Sequence, residues 1–244
     1  MYKMTANFYP AQEPKNGYIG RASLTIADAI RINSIRVFEK EDKINVQFPS
    51  YDVVADGKEQ QISYVTPDSK EVYAAMVEVV KMAVEDKEHH FGHKTGKYNP
   101  QLEVTGKEVN EPYADGRFTL KVDGVCTMTG ITSQEIKGED EKPFVAVHTP
   151  TVGKYEDKEG KTHYVQAFEG LTSKFEREGK EEKKNFGLLM RNLVLGERKK
   201  FHEVEKEQSN PSIGEQIDNA SVRAKEGNAD KSAPEKAEQQ PVLG

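Results

Sequence analysis

The sequence predicts an α+β protein built from two related small domains, each an antiparallel β-sheet meander followed by a C-terminal helix. The main observation is an internal repeat, in which residues 20–26 are matched by residues 116–122 and Ile35 by Ile131 without a gap. Apolar and polar residues alternate through the first part of each copy, which is typical of half-buried strands. A stripe of apolar residues at helical spacing then closes each copy.

Positions further along the chain extend the repeat. Residues 46–49 match residues 147–150, and residues 63–65 match residues 163–165. A chain of 244 residues is a prior for one or two domains, and the repeat favours two. The predicted segments, in chain order, are an irregular lead-in (1–17), unit one (18–85), a linker (86–112), unit two (113–203) and a disordered tail (204–244).

Composition limits the class of protein. The chain is 35% hydrophobic and 31% charged, which is polar for a globular protein and consistent with a disordered tail. It has no run of about 18 apolar residues and no apolar signal core, so we expect a cytoplasmic protein that does not enter a membrane. The single cysteine, Cys126, excludes an intrachain disulfide, and its apolar strand position favours a buried hydrophobic role over a nucleophilic one.

The net charge of −6 is spread along the chain without a basic segment. A strongly basic domain would have indicated a phosphate-binding surface directly. This charge distribution is still compatible with a local basic patch on a nearly neutral domain.

Unit one is predicted to begin as a meander of antiparallel strands. The predicted strands, each with alternating apolar residues, are residues 21–26, 30–37 and 44–48. Turns are expected near Asp28 and in the charged run 39–43, and Pro49 ends the third strand. Asp56-Gly57 predicts a β-hairpin. The lead-in before residue 18 is expected to contribute one short strand at most.

A helix is expected to cover the apolar face of this meander. Asp68 is the predicted N-cap, with Glu71 three residues later as its capping-box partner. The apolar stripe of the helix consists of Val72, Met76, Val79, Val80 and Ala83. We assign the stripe to core packing.

The predicted linker contains a histidine cluster, His89, His90 and His93. Three imidazoles can chelate Zn²⁺ or Ni²⁺, but a structural zinc site needs a fourth ligand, and no nearby cysteine or spaced histidine pair supplies one. We therefore predict a solvated linker and no metal.

Unit two repeats the plan with longer hairpins. Strands are predicted around residues 118–122 and 144–147, and a charged hairpin tip at residues 154–161. The highly charged segment 178–184 precedes a second helical stripe. That stripe consists of Phe186, Leu189, Met190, Leu193 and Val194.

In order and spacing, several of these segments resemble the SpoVG (stage V sporulation protein G) family. The resembling segments are residues 22–26, 35–37 and 46–50, Asp56-Gly57 and the terminal helix of unit one. The resemblance covers residues 18–85 and, more weakly, 116–198. It implies a compact sheet with a C-terminal helix, dimerisation through the sheet, and DNA or RNA binding in bacterial gene regulation. A tandem copy would then form an intrachain pseudo-dimer, with further homo-oligomers left open.

The chain departs from that family after the Pro-Ser pair, where the family is basic. Here Ser50 is followed by Tyr51 and Asp52, and Pro150 by residues 151–153, which carry no charge. These replacements remove charge that neutralises phosphates. Nucleic-acid contacts are therefore expected from other basic residues. The candidates are Arg21, Arg36, Lys154, Lys158, Lys161, Lys183, Lys184, Arg191, Arg198, Lys199 and Lys200.

Enzymatic activity is not expected, and no cofactor is predicted. The chain has no phosphate-cradling glycine loop, no nucleophile elbow and no metal-spaced His and carboxylate pair. His148 and His163 lie on predicted strands of one unit, where inert surface positions are the ordinary case. The alternative to nucleic-acid binding is a protein-interaction module, such as a phage or mobile-element accessory protein that binds and inhibits a host protein.

Overall fold

A computed structural model of the chain describes residues 2–55, 57–86, 91–92, 100–137, 142–177 and 180–209. Residues 1–199 form one compact unit. Residues 200–244 form a second unit, which is described as far as residue 209 and consists there of the end of a helix. The histidine cluster of the predicted solvated linker, His89, His90 and His93, lies outside the described residues.

Strands dominate both halves of the chain. In the N-terminal half they are β1 (Met4–Lys15), β2 (Tyr18–Ile26), β3 (Ile30–Lys40), β4 (Lys43–Gln47), β5 (Ser50–Ala55), β6 (Lys58–Ser63), β7 (Val65–Pro67) and β8 (Phe91–Gly92), with helix α1 (Lys70–Asp86) before β8. In the C-terminal half they are β9 (Leu102–Glu111), β10 (Ala114–Val122), β11 (Cys126–Ile136), β12 (Phe144–His148), β13 (Thr151–Glu156), β14 (Thr162–Gln166), β15 (Phe168–Gly170), β16 (Thr172–Arg177) and β17 (Lys180–Asn185), followed by helix α2 (Phe186–Ser209). The α+β class and the antiparallel meanders are confirmed.

Sheet one is built on the meander β1-β2-β3-β4, with β8 on the free side of β1. The expectation of an irregular lead-in is wrong, because β1 pairs with β2 along most of its length. The signal for this pairing is the dipeptide Asn16-Gly17, whose φ angles of 54° and 78° form the two-residue turn that joins twisted strands.

Sheet two is built on the equivalent meander β9-β10-β11-β12. The predicted linker therefore includes a full strand, since β9 pairs with β10 in register from Val122 opposite Leu102 to Ala114 opposite Glu111. The composition of β9 is polar, so its sequence has no sustained apolar alternation from which a strand could be predicted. Only Val104 of this strand is buried, so the strand is held mainly by its backbone hydrogen bonds.

A β-bulge recurs at the same place in both sheets. Ser34 in β3 has a φ of 56°, and Gly130, its counterpart 96 residues later in β11, has a φ of 84°. In each sheet two residues of the bulged strand lie opposite one residue of the preceding strand. The bulge increases the local twist of the strand pair. Its repetition extends the sequence repeat to a detail of backbone geometry.

The two sheets exchange short strands. From the first half, β7 pairs with β11, and from the second half β15 pairs with β3. Thr129 N donates to Tyr64 O over 2.9 Å, and Asn33 N donates to Ala167 O over 2.8 Å. These two bonds are equivalent in the two copies, so they correct the alignment of the repeat. Residues 63–65 correspond to residues 166–168 and not to residues 163–165.

Helix α1 packs its apolar stripe against sheet one. The N-cap is Ser69 and not Asp68, because Ser69 Oγ accepts a hydrogen bond from Val72 N over 3.2 Å. Helix α2 starts after Asn185, whose side chain accepts a hydrogen bond from Leu188 N over 2.9 Å. The predicted start of the disordered tail at residue 204 falls inside this helix.

The core lies between the apolar sheet faces and the helices. Its largest fully buried side chains come from both copies and include Leu24, Ile26, Ile32, Ile35, Met76, Leu120, Met128, Ile131, Phe168 and Phe186. The predicted stripe of α2 is confirmed at Phe186, Met190 and Val194, which are buried. Because Phe168 belongs to an exchanged strand, part of the core of sheet one comes from the second copy.

Candidate nucleic-acid interface

The outer face of sheet one, opposite the core, carries polar and aromatic side chains in register. Tyr9 of β1 lies opposite Arg21 of β2, and Arg21 lies opposite Arg36 of β3. Side chains directly opposite each other in antiparallel strands share a face. One row across the sheet therefore presents a tyrosine and two arginines to solvent.

Arg21 and Arg36 are like charges held side by side. Neither forms an ion pair with any residue in the described part of the chain. Arg36 donates a long hydrogen bond to Gln47 Oε1, 3.4 Å away, and its guanidinium lies 5.7 Å from the ring centre of Tyr18 and 5.1 Å from that of Phe38. Like charges opposite each other destabilise a sheet. An anion bound between them would relieve that repulsion.

A hairpin from the second copy, β13–β14, walls this face and forms a groove of about 780 Å³. Asn33 Nδ2 donates to Gln166 O over 3.2 Å and fixes the base of the hairpin against β3. The groove is lined by three exposed tyrosines, Tyr9, Tyr155 and Tyr164. The sequence prediction missed them, although a signal existed in the tyrosines' positions on predominantly polar strands.

The floor of the groove contains polar atoms without partners. Ser23 is 5% exposed, and its Oγ has no hydrogen-bond partner among the described residues. The same holds for Nε of Arg31, whose NH1 group lies 3.6 Å from Glu169 Oε1. Buried polar atoms are usually satisfied. A ligand group with donors and acceptors would satisfy these two.

No protein-family model matches this chain, and no curated protein or solved structure matches it.

Sheet two has an equivalent groove of about 630 Å³, lined by two basic residues, Lys107 and Arg117, of which the arginine is paired with an acid. Arg117, the counterpart of Arg21, donates two hydrogen bonds to Glu111, over 2.8 and 2.6 Å. The pairing raises the pKa of Arg117 and lowers that of Glu111. Tyr51 and Tyr64 stack within this groove with ring centres 4.7 Å apart, and burial raises the pKa of Tyr64. The first groove, hereafter the open groove, has neither an acid paired with Arg21 nor a pair of stacked tyrosines among the described residues.

The remaining basic candidates fall into three groups, on the β13–β14 hairpin, on the β16–β17 hairpin and on helix α2. Those of the first group belong to the hairpin that walls the groove but do not line it. Lys154 lies opposite Tyr164 across the hairpin, and Lys158 and Lys161 lie at its exposed tip. The second hairpin, β16–β17, holds Lys183 and Lys184, and Lys184 Nζ lies 4.8 Å from the ring centre of Phe186.

The helix candidates do not form one surface with these. Arg191 donates to Val145 O over 3.3 Å, so it reaches back to sheet two. Arg198 is bound to Asp115 by two hydrogen bonds and is only 13% exposed, so its charge serves an internal ion pair. Lys199 and Lys200 are exposed residues of α2.

The histidine candidates lie apart from each other. His163 Nε2 is 2.7 Å from Asp157 Oδ2, and its ring stacks on Tyr155 with ring centres 5.1 Å apart. The hydrogen bond from His163 lowers the pKa of Asp157. His148 ends β12 and pairs with Thr132 instead. Within the described residues there is no group of three His, Cys, Asp or Glu side chains able to hold a metal ion.

Cys126 is fully buried, and burial, with a smaller effect of Asp68, raises the pKa of its thiol. Neither helix in the described part of the chain combines the length and apolar character that crossing a membrane requires.

Proposed function

We propose that this chain is a non-catalytic nucleic-acid-binding regulatory protein of SpoVG type, in which two tandem copies form an intrachain pseudo-dimer. The observation that carries the proposal is the pair of arginines, Arg21 and Arg36, exposed without an acidic partner beside a groove lined by tyrosines. Phosphate contacts supply most non-specific affinity for nucleic acids, and arginine binds phosphate with a planar fork of donors.

The reciprocal exchange of β7 and β15 supports the pseudo-dimer. The exchanged strands bind equivalent positions, since Val65 lies opposite Met128 and Phe168 opposite Ile32. Equivalent contacts made in both directions are the signature of a two-fold interface. The same arrangement between separate single-copy chains would make a homodimer. The buried, unreactive environment of Cys126 agrees with a cytoplasmic location.

The test is a fluorescence anisotropy titration with labelled single- and double-stranded DNA and RNA at low and at physiological salt. The double variant Arg21→Glu/Arg36→Glu is expected to lose at least about tenfold in affinity and to show a shallower salt dependence, because each lost phosphate contact lowers the salt slope by about 0.9. The matched control is Lys58→Glu/Lys142→Glu, which makes the same charge change at exposed positions outside the groove. Equal losses in both variants, or no binding at low salt, would contradict the proposal.

The second candidate is a protein-interaction module that binds a host protein. It is favoured by an exposed apolar pair on sheet two, where Ile136 lies opposite Phe144 and the two are 36% and 50% exposed. Under this alternative, pull-down of a protein partner would depend on Phe144 and change little with salt, and no nucleic acid would bind.

A further inference from the structure

Resting on the proposed function, we infer that the groove between sheet one and the β13–β14 hairpin binds a single strand, with an unstacked base on its tyrosines and the adjoining phosphate on its arginines. Tyr9 and Arg21 are direct neighbours across β1 and β2, so a stacking surface and a phosphate donor lie side by side. Tyr155 and Tyr164 also line this groove, from opposite faces of the β13–β14 hairpin, because their cross-strand partners are His163 and Lys154. Exposed tyrosines interleaved with arginine are the usual surface for single strands.

A duplex does not suit this groove. In a duplex the faces of the bases are covered by their neighbours, so aromatic side chains cannot stack on them without extruding a base. The groove has the size of a site for a small ligand, which is about 300–1,000 Å³. In a single strand the faces of the bases are exposed, and one base can enter the groove.

The floor of the groove supplies contacts to an edge of the base or to the sugar. Ser23 Oγ is buried and unpartnered among the described residues, and a hydroxyl both donates and accepts a hydrogen bond. The Nε–H of Arg31 is a second donor without a described partner. These two groups lie in the same groove as the tyrosines. A bound nucleotide would form hydrogen bonds with Ser23 Oγ and Arg31 Nε, which have no hydrogen-bond partner among the described residues.

The equivalent groove of sheet two is not expected to bind a second strand. Its arginine, Arg117, is held by Glu111, and the stacked rings of Tyr51 and Tyr64 occupy its wall. The positions that correspond to these tyrosines in the open groove are Val152 and Ala167, which are smaller. The two grooves therefore differ in the ion pairing of their arginines and in the stacked tyrosines on the wall, and one strand is expected to bind per chain.

The experiment compares 12-nucleotide single strands of DNA and RNA with hairpin duplexes of the same composition, bound to the full chain at low and physiological salt. Both single strands are expected to bind more tightly than the duplexes with one strand per chain, and the DNA and RNA arms show which sugar is preferred. The triple variant Tyr9→Ser/Tyr155→Ser/Tyr164→Ser should lose roughly 5- to 150-fold for each stack removed. The corresponding Phe variant should keep its affinity, because a phenyl ring still stacks.

Two controls separate stacking from folding and from charge. Tyr113→Ser removes an exposed tyrosine that lines neither groove and should bind as the unaltered chain does. Photo-crosslinking of a 4-thiouridine strand should label peptides containing Tyr9, Tyr155 or Tyr164. If the Ser and Phe variants both bind normally while Arg21→Glu/Arg36→Glu does not, or if duplexes bind as tightly as single strands, the single-strand inference is wrong and the proposed function stands. If no nucleic acid binds, both are wrong.

Discussion

Arg198 of α2 and Asp115 of β10 form an ion pair in which Arg198 donates two hydrogen bonds, over 3.2 and 2.8 Å, to the two carboxylate oxygens of Asp115. Ser133 Oγ and Glu135 N also donate to this carboxylate. Burial by itself would raise the pKa of Asp115, but the hydrogen bonds from Arg198, Ser133 and Glu135 outweigh it and lower the pKa to about 2. The pair joins the helix of the second copy to the sheet that it covers.

Replacement of Asp115 by Asn should destabilise the fold by about 1–2 kcal/mol at pH 7, allowing for the partial solvent exposure of the carboxylate. Because the folded pKa lies below the ordinary value of 3.8, the contribution is complete above about pH 5 and declines as the pH falls towards 2. Urea unfolding of both proteins at pH 7 and pH 3 measures this, with Asp123→Asn as the control at an exposed turn position. A difference between the proteins that grows on acidification would contradict the assignment.

Replacement of Phe168 by Ala should cost about 3–5 kcal/mol, because Phe168 is fully buried against the core of sheet one. Since exchanged strands join the two sheets, we also expect both to unfold in one transition, seen alike by circular dichroism and tyrosine fluorescence. Val54→Ala, at a position 74% exposed, should change stability by no more than about 0.5 kcal/mol. Two separate transitions in the unaltered chain would mean that the sheets fold independently.

Gly170 and Gly196 should respond oppositely to alanine. A Cβ atom on Gly170 would lie 2.7 Å from Gly187 Cα and closer still to neighbouring backbone atoms, so β15 and the start of α2 would have to separate. Gly196 lies inside α2 with open space around it, and alanine there should stabilise the helix by about 0.5–1 kcal/mol. Thermal unfolding should therefore show a lower Tm for Gly170→Ala and a higher one for Gly196→Ala. An unchanged Tm for Gly170→Ala would show that β15 and the start of α2 have room for the added methyl group.

Cys126 should be inert in the folded protein. Its thiol is fully buried and has a raised pKa, so the reactive thiolate is scarce and inaccessible. At pH 8 we expect negligible reaction with a disulfide reagent under native conditions and one thiol per chain after addition of denaturant. Rapid native labelling would show that β11 opens readily.

The sequence allowed the central strands and both helices to be predicted because their signals are local. Alternating apolar residues from Leu24 to Ile35 and from Leu120 to Ile131 form the inner faces of the sheets. The apolar stripes around Met76 and Met190 predict the two helices equally directly, because each helix must bury one face. The pattern also indicated that the two halves of the chain are copies of one structural unit.

The first strand of each copy was missed because its pattern is weak. β1 contains Pro10 and Pro14, and β9 is mostly exposed. β2 and β10 offer these strands backbone partners along most of their length, and β1 also buries Met4, Ala6 and Phe8. Backbone pairing is almost independent of side chains, so a polar sequence can still form a strand when a neighbour is already in place.

Arg21 and Arg36 could be identified as candidates from the sequence, since each is a basic residue on the polar side of a predicted strand. The groove that Arg21 shares with Tyr155 and Tyr164, beside which Arg36 lies, could not be predicted, because residues more than 100 positions apart are brought together by an exchange of strands between the copies. The spacing of residue types along the chain is enough to show which faces are apolar and where each element repeats. The folded chain alone shows which copy supplies each wall of the groove, and that Arg117 is paired with Glu111 whereas Arg21 has no acidic partner among the described residues. Strand exchange and ion pairing depend on distances in space, which spacing along the chain does not set.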